Sequence, residues 1–147
     1  MLVEFPDSVV IVALDDEGRL VAVCQTRPGA PERTLELPSG KIEADETPEE
    51  AAERELAEEC GLAAARHERL ASFWVAPAYS TERCHVFLAS ALAPAPPAAM
   101  DDDEDLEVER IPLPEAWSRL SDAASLAALG LWSSAASRNV RPETRAP

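Results

Sequence analysis

Residues 40–62, GKIEADETPEEAAERELAEECGL, decide how this chain is read. The middle of the stretch is helical by local chemistry. Thr47 suits an N-cap, Pro48 fits the first helical position, and Glu50 completes a Thr-x-x-Glu capping box. Residues 51–57 favour or tolerate a helix, and Gly61 can take the left-handed conformation that ends one. The last turn is hard to account for as a stable surface. Glu55 stands three residues before Glu58 and four before Glu59, so the three carboxylates lie near one face. They repel each other and oppose the helix dipole. A hard divalent cation repairs that arrangement, because Mg²⁺ takes oxygen ligands and is held by one or two carboxylates plus substrate phosphates. A solvated acidic helix face is the alternative.

The flanking residues weigh against the solvated face. Gly40, five residues, Glu46, seven residues, Arg54-Glu55-Leu56, Ala57, Glu58-Glu59, Cys60 and Gly61-Leu62 together resemble the Nudix box at every defined position. The pattern is long, mixed in residue type and fixed in spacing, so chance meets it far less often than a short glycine motif. The resemblance implies an α/β fold, a Nudix-type α/β/α sandwich around a mixed β-sheet. It also implies Mg²⁺ or Mn²⁺ as cofactor and hydrolysis of a nucleoside diphosphate linked to another moiety. Glu55, Glu58 and Glu59 are then the metal ligands, joined by the Ser39 carbonyl, and Glu58, Glu59 and Arg54 belong to the catalytic set. Arg54 keeps its charge and so pairs with a box carboxylate such as Glu46 rather than touching the metal; a plain surface salt bridge is the alternative.

A second resemblance narrows the substrate. Glu36-Leu37-Pro38-Ser39-Gly40-Lys41-Ile42-Glu43 is similar to a motif of ADP-ribose pyrophosphatases. Pro77 falls fifteen residues beyond Leu62, where that subfamily has a marker proline, and Ser80-x-Glu82 and His85-x-Phe87 resemble the residues that follow it. Ala76 and Ala78 depart from the pattern around the proline. The implied reaction converts ADP-ribose to AMP and ribose 5-phosphate. Arg27, Pro77 and Glu82 would contact the substrate, and Glu104, in the acidic run 101–105, would be the base. A hairpin breaker at Pro77 and a solvated acidic linker at 101–105 are the bland alternatives. The subfamily's N-terminal sheet, which helps form a dimer and grips adenine, is not expected here, because about seven residues precede the first strand; a homodimer is still compatible with the resemblance, since the family commonly forms dimers and the Trp-bearing C-terminal helices could contribute. His85, Phe73, Trp74 and Tyr79 either stack on a base or fill the core.

The rest of the chain supports one domain over 1–136 and a polar tail over 137–147. Its 147 residues, 46% of them hydrophobic, are enough for a real core. Residues 8–14 read as a buried strand, and 19–26 as its hairpin partner across Asp15-Asp16-Glu17-Gly18. Further strands are expected at 34–38, 68–75, 83–92 and 106–111. Helices are expected from Pro114 and over 123–136, the latter capped by Asp122. No apolar run spans a membrane, and the N-terminus lacks a signal pattern, so a cytoplasmic location is expected. Cys24, Cys60 and Cys84 lack disulfide or zinc spacing and read as reduced thiols. Thirteen Lys and Arg against 28 Asp and Glu give a net charge of −15, which argues against nucleic-acid polymers and anionic membranes as partners. A small phosphorylated molecule is compatible with it, because a bound cation reverses the local sign. Two other functions fit the same sequence: hydrolysis of a nucleoside triphosphate or oxidised nucleotide, and a non-catalytic nucleotide-sensing module.

Overall fold

The computed structural model describes residues 1–96 and 105–139. In chain order these form β1 (Ser8–Ala13), β2 (Leu20–Gln25), β3 (Thr34–Glu36), β4 (Ser39–Lys41), α1 (Pro48–Cys60) and β5 (Leu62–Trp74). Then follow β6 (Arg83–Pro94), β7 (Glu107–Ile111), α2 (Leu113–Arg119) and α3 (Ala123–Asn139). One sheet has the order β4-β1-β6-β5 and is mixed, since β1 and β6 run parallel while its other pairs are antiparallel. The second, β3-β2-β7, is antiparallel.

The alternation of side chains along the central strands makes the layers. Val10, Val12, Leu20, Ala22 and Val86 enter a core closed by Ala116 and Leu120, at α2 and its C-cap, and by Ala128 and Leu129 of α3. Val9, Ile11, Ala13, Val21, Phe87 and Ala89 enter the other core, closed by Ala51, Ala52 and Leu56 of α1. A strand buried on both faces has no polar side, which is why 8–14 reads as an unbroken apolar run. Full burial of Leu56 contributes about 2 kcal/mol to holding α1 on the sheet.

The turn after β1 forms as the sequence predicts. Asp15 accepts from the backbone N–H groups of Glu17 (3.0 Å) and Arg19 (2.8 Å), and Gly18 has φ 74°. The hairpin beyond it does not form. Apart from one bridge, Leu14 to Leu20, β1 and β2 belong to different sheets. Their facing edges are taken by residues 34–41: β3 pairs with β2, and then β4 pairs with β1, with the Ile11 N–H donating to the Pro38 carbonyl at 2.8 Å. That short segment wedges the two strands apart and delivers Ser39-Gly40 to the junction beneath α1.

Two boundaries move by three residues or more. β5 begins at Leu62, directly after Gly61, rather than at 68, because Gly61 turns the chain at φ 65° and Leu62 pairs with Pro94. The alanines at 63–65 carry no strand signal of their own. α3 runs three residues beyond 136, and the rest of the expected tail lies outside the described residues.

Candidate active site

Helix α1 begins with its capping box intact. Glu50 N–H donates to Thr47 Oγ1 (3.2 Å), and Thr47 N–H donates to Glu50 Oε2 (2.8 Å). Its last turn carries no basic residue, so the carboxylates there depend on Arg54, one turn earlier. The Arg54 guanidinium donates to Glu46 through Nε (2.7 Å) and Nη2 (3.0 Å), to Glu55 Oε1 (2.7 Å) and Glu58 Oε2 (3.0 Å), and to the Lys41 carbonyl (2.9 Å). These contacts go well beyond a surface pair: Arg54 ties the loop after β4 to the acidic end of α1. Its hydrogen bonds, led by that to Glu46, raise its pKa further and hold the Glu46 carboxyl below its ordinary range.

Glu59 points the other way, accepting from the Ser39 N–H at 2.9 Å. Burial pushes its carboxyl up to about 8, against the Ser39 hydrogen bond and with the Glu55 charge adding. Burial also raises Glu55, which Arg54 only partly offsets. Gly40 makes this packing possible, because a Cβ there would overlap the Glu55 carboxyl. The cradle therefore needs glycine for close approach rather than for backbone freedom.

In front of the Ser39-Gly40 backbone lies a cavity of about 260 Å³, lined by Arg27, Ser39, Lys41, Glu82, Ser8 and Ala124 among others. Three sequence-predicted residues, Arg27, Ser39 and Glu82, thus meet there. Arg27 is held by a two-pronged pair with the nearly buried Glu36, Nε to Oε1 at 2.9 Å and Nη2 to Oε2 at 2.8 Å. Burial pushes the Glu36 carboxyl up, but hydrogen bonds from Arg27 and Thr34 outweigh it and leave it below its ordinary value. The same pairing raises Arg27. Glu82 accepts from the Ser8 hydroxyl at 2.8 Å.

Other expected residues fall elsewhere. Pro77 is exposed in the turn between β5 and β6 and does not line this cavity. Glu104 lies outside the described residues, as do residues 101–103. Asp105 is described: it accepts from Thr26 N–H (2.7 Å) and Arg33 Nη1 (3.0 Å), and the Thr26 bond leads in lowering its pKa. His85 is buried between Arg69 (2.6 Å) and Asp7 (3.1 Å), so it is unavailable for stacking on a base. Phe73 packs against the core, whereas Trp74 and Tyr79 are exposed. Burial pushes the Cys60 thiol to about 12 and the Cys84 thiol to about 11, which keeps both protonated.

Sequence reasoning missed Glu36, Ser8, Lys41 and Asp122 as parts of this neighbourhood. Asp122 Oδ2 accepts from the Ser125 N–H (3.1 Å) as the expected cap of α3, while its buried Oδ1 has no hydrogen-bond partner among the described residues. The only local signal was the closeness of Glu36 and Lys41 to Gly40; Ser8 and Asp122 come from distant parts of the chain. A larger cleft, about 390 Å³, lies at the other end of β1, where Asp15 binds Arg19 (2.8 Å) and approaches Arg110 (3.7 Å), so its charges are satisfied internally.

Among the described residues, no three His, Cys, Asp or Glu side chains form a ready-made metal cage. Mg²⁺ does not need one, because it is bound through one or two carboxylates together with substrate phosphates. The half-buried, hard-oxygen carboxylates of Glu55, packed on Gly40, and Glu59, bonded to the Ser39 N–H, fit that requirement, with Glu58 on the same helix turn.

The family model described as NUDIX domain matches residues 4–131. An ADP-ribose pyrophosphatase of Bacillus subtilis is 36% identical over 116 residues, 78% of this chain and 63% of that protein. A methanol dehydrogenase activator of Bacillus methanolicus is 34% identical over 116 residues, again 78% of this chain and 63% of that protein. The chain therefore spans just under two thirds of the length of these relatives. A crystal structure titled as an ADP compounds hydrolase superposes with a TM-score of 0.81 at 26% identity, covering 92% of this chain and 75% of that one.

Proposed function

The chain belongs to the NUDIX domain family, and from that premise we propose that it is a divalent-cation-dependent pyrophosphohydrolase acting on ADP-ribose or a related nucleotide sugar. The observation that carries this reading is the half-buried carboxylate pair Glu55, packed on Gly40, and Glu59, bonded to the Ser39 N–H, beside a cavity that Ser39, Gly40 and Arg27 line. The names of the Bacillus subtilis relative and of the superposed structure support the substrate class.

In the proposed reaction water adds to one phosphorus of the diphosphate, the bridging P–O bond breaks, and AMP and ribose 5-phosphate leave. Mg²⁺ or Mn²⁺, held by Glu55, Glu58, Glu59 and the Ser39 carbonyl, would neutralise phosphate charge and activate water. The chain's own groups then have distinct tasks. Arg54 fixes the carboxylates of Glu46, Glu55 and Glu58 in place, and its permanent charge limits their mutual repulsion. Arg27, oriented by Glu36, offers its guanidinium to a phosphate oxygen. Gly40 lets the backbone approach the acidic helix end. Glu104 is the proposed base for the attacking water. Asp105, the next residue in sequence, accepts from the Thr26 N–H and from Arg33, so Asp105 itself stands beside Thr26, the residue before Arg27. The three free thiols fit a reducing, cytoplasmic setting.

The test is phosphate release, coupled to phosphatase, from ADP-ribose, nucleotide sugars, dinucleotides and nucleoside triphosphates in Mg²⁺ or Mn²⁺. We expect ADP-ribose to be preferred, and Glu59→Gln to lose at least about a hundredfold in kcat with an unchanged circular dichroism spectrum. Near-native turnover in Glu59→Gln would remove the metal assignment. Preference for triphosphates would keep the chemistry and overturn the substrate.

A further inference from the structure

We propose that the apolar cleft between residues 3–5 and 75–82 is a nucleobase subsite of the same active site, selective for an amino-bearing base such as adenine. The proposal rests on the hydrolase reading for what lies in the neighbouring cavity.

The cleft, about 210 Å³, is lined by Val3, Phe5, Val75, Ala76, Tyr79, Ser80 and Glu82. Tyr79, Phe5, Val75 and Val3 are exposed, with Tyr79 at 59%, so their apolar surface is left uncovered. Its two walls are nonetheless tied together. Val3 N–H donates to the Tyr79 carbonyl (2.7 Å) and Thr81 N–H to the Val3 carbonyl (3.1 Å). Phe5 N–H donates to Thr81 Oγ1 (2.8 Å), which itself donates to the Phe5 carbonyl (3.1 Å). The turn bearing Tyr79 is closed by the Tyr79 and Ser80 N–H groups, both donating to the Ala76 carbonyl (3.0 and 2.8 Å). A slot whose walls are already fixed loses little freedom on accepting a flat ring.

Continuity with the anion cavity identifies the occupant. Glu82 lines both spaces. Ser8 and Lys41 of the cavity reach the cleft directly, Ser8 through its bond to Glu82 and Lys41 through its ammonium, 4.4 Å from the centroid of the Phe5 ring. A ligand spanning the two is therefore anionic at Lys41 and Arg27 and aromatic at Phe5 and Tyr79, which is the make-up of a nucleotide. An ionised carboxylate only accepts hydrogen bonds, so Glu82 at the border favours a base presenting an amino group, as adenine does, over one presenting an oxo group there. A second copy of this chain, the other candidate occupant of an apolar face, would bring a further net charge of −15 against this one.

Equilibrium dialysis with AMP, in the presence of Mg²⁺, tests the subsite without requiring turnover, and KM for ADP-ribose follows in parallel. Removing one stacking ring costs about tenfold in affinity. Tyr79→Ala and Phe5→Ala are thus expected to weaken AMP about tenfold, to raise KM for ADP-ribose alike, and to leave inhibition by ribose 5-phosphate unchanged. Tyr79→Phe keeps wild-type affinity, and AMP binds more tightly than IMP. Unchanged AMP affinity in both alanine variants overturns the proposal. So does equal weakening of AMP and ribose 5-phosphate, or a shift from dimer to monomer in sedimentation with AMP affinity intact. If AMP binds as expected but no pyrophosphate is cut, the subsite stands and the hydrolase reading fails.

Discussion

The acidic end of α1 shows how a residue's neighbours decide its meaning. The helical repeat placed Glu55, Glu58 and Glu59 near one face, and the resemblance of the longer pattern to the Nudix box added Gly40 and made the carboxylates candidate ligands. Neither revealed that Glu59 turns to the Ser39 N–H while Arg54 gathers Glu46, Glu55 and Glu58, since those contacts depend on where residues 39–41 are delivered. Glu36 was hidden for the same reason: nothing in ELPSGKIE says that its acid is buried against Arg27. That pair carries a pH signature. The net shift lowers Glu36 below its ordinary value of 4.5, so its ionised form is favoured in the folded state. The contribution is fully present above about 4.5 and is lost as pH falls through the lower folded-state value. Glu36→Gln is therefore expected to lower Tm at pH 7, with the gap to wild type closing as pH falls below about 4.5. Thermal melts of both proteins across that range check it. A gap that stays constant would mean that the amide fails for a reason other than charge.

Elements divide into those governed by their own ends and those governed by partners. Helix α1 is of the first kind: its N-cap, capping box and glycine stop lie within residues 47–61, and all form as the sequence indicates. Thr47→Ala removes the half of the box made by the hydroxyl, leaving the backbone N–H of residue 47 to donate to Glu50, and is expected to cost about 1 kcal/mol, or about 3 °C in Tm. The capping bonds are solvent-exposed, and neither Thr47 nor Glu50 lines the cavity, so kcat is expected to change little. A Tm within error of wild type would show that tertiary packing through Leu56 alone holds the first turn. Strands β1 and β2 are of the second kind. A good reverse turn at Asp15–Gly18 says that the chain reverses, not that the arms pair, and the hairpin expectation failed on that distinction. β4 is three residues long with a glycine at its centre, so its propensity pointed to a loop; it is a strand because β1 offers an open edge.

At the scale of the whole molecule, the layered α/β architecture was legible because the central strands are apolar on both faces, and two-sided burial requires helices on both sides. Which distant segments meet at the cavity was not legible: Ser8, Glu82 and Ala124 converge only through the β1–β6 pairing and the docking of α3. Net charge is a further global property, and it makes a prediction opposite in sign to the local ion pairs. Pairs such as Arg33–Asp105 and Arg119–Glu115 are solvent-exposed, contribute little, and weaken as salt is added. Even if each of the 13 basic side chains neutralised one acid, 15 of the 28 acids would remain to repel one another. Screening of that excess stabilises the compact state, because the unfolded chain spreads its charges farther apart. The surplus outnumbers the pairs, so Tm is expected to rise with NaCl. Most of the gain should come below about 0.15 M, where the screening length shrinks to about 8 Å. Melts at fixed pH in EDTA, from low salt upward, isolate this effect from divalent binding. A Tm that falls with salt would mean that the arginine-centred pairs outweigh the acidic surplus, and that Arg54 and Arg27 hold the fold as well as the site.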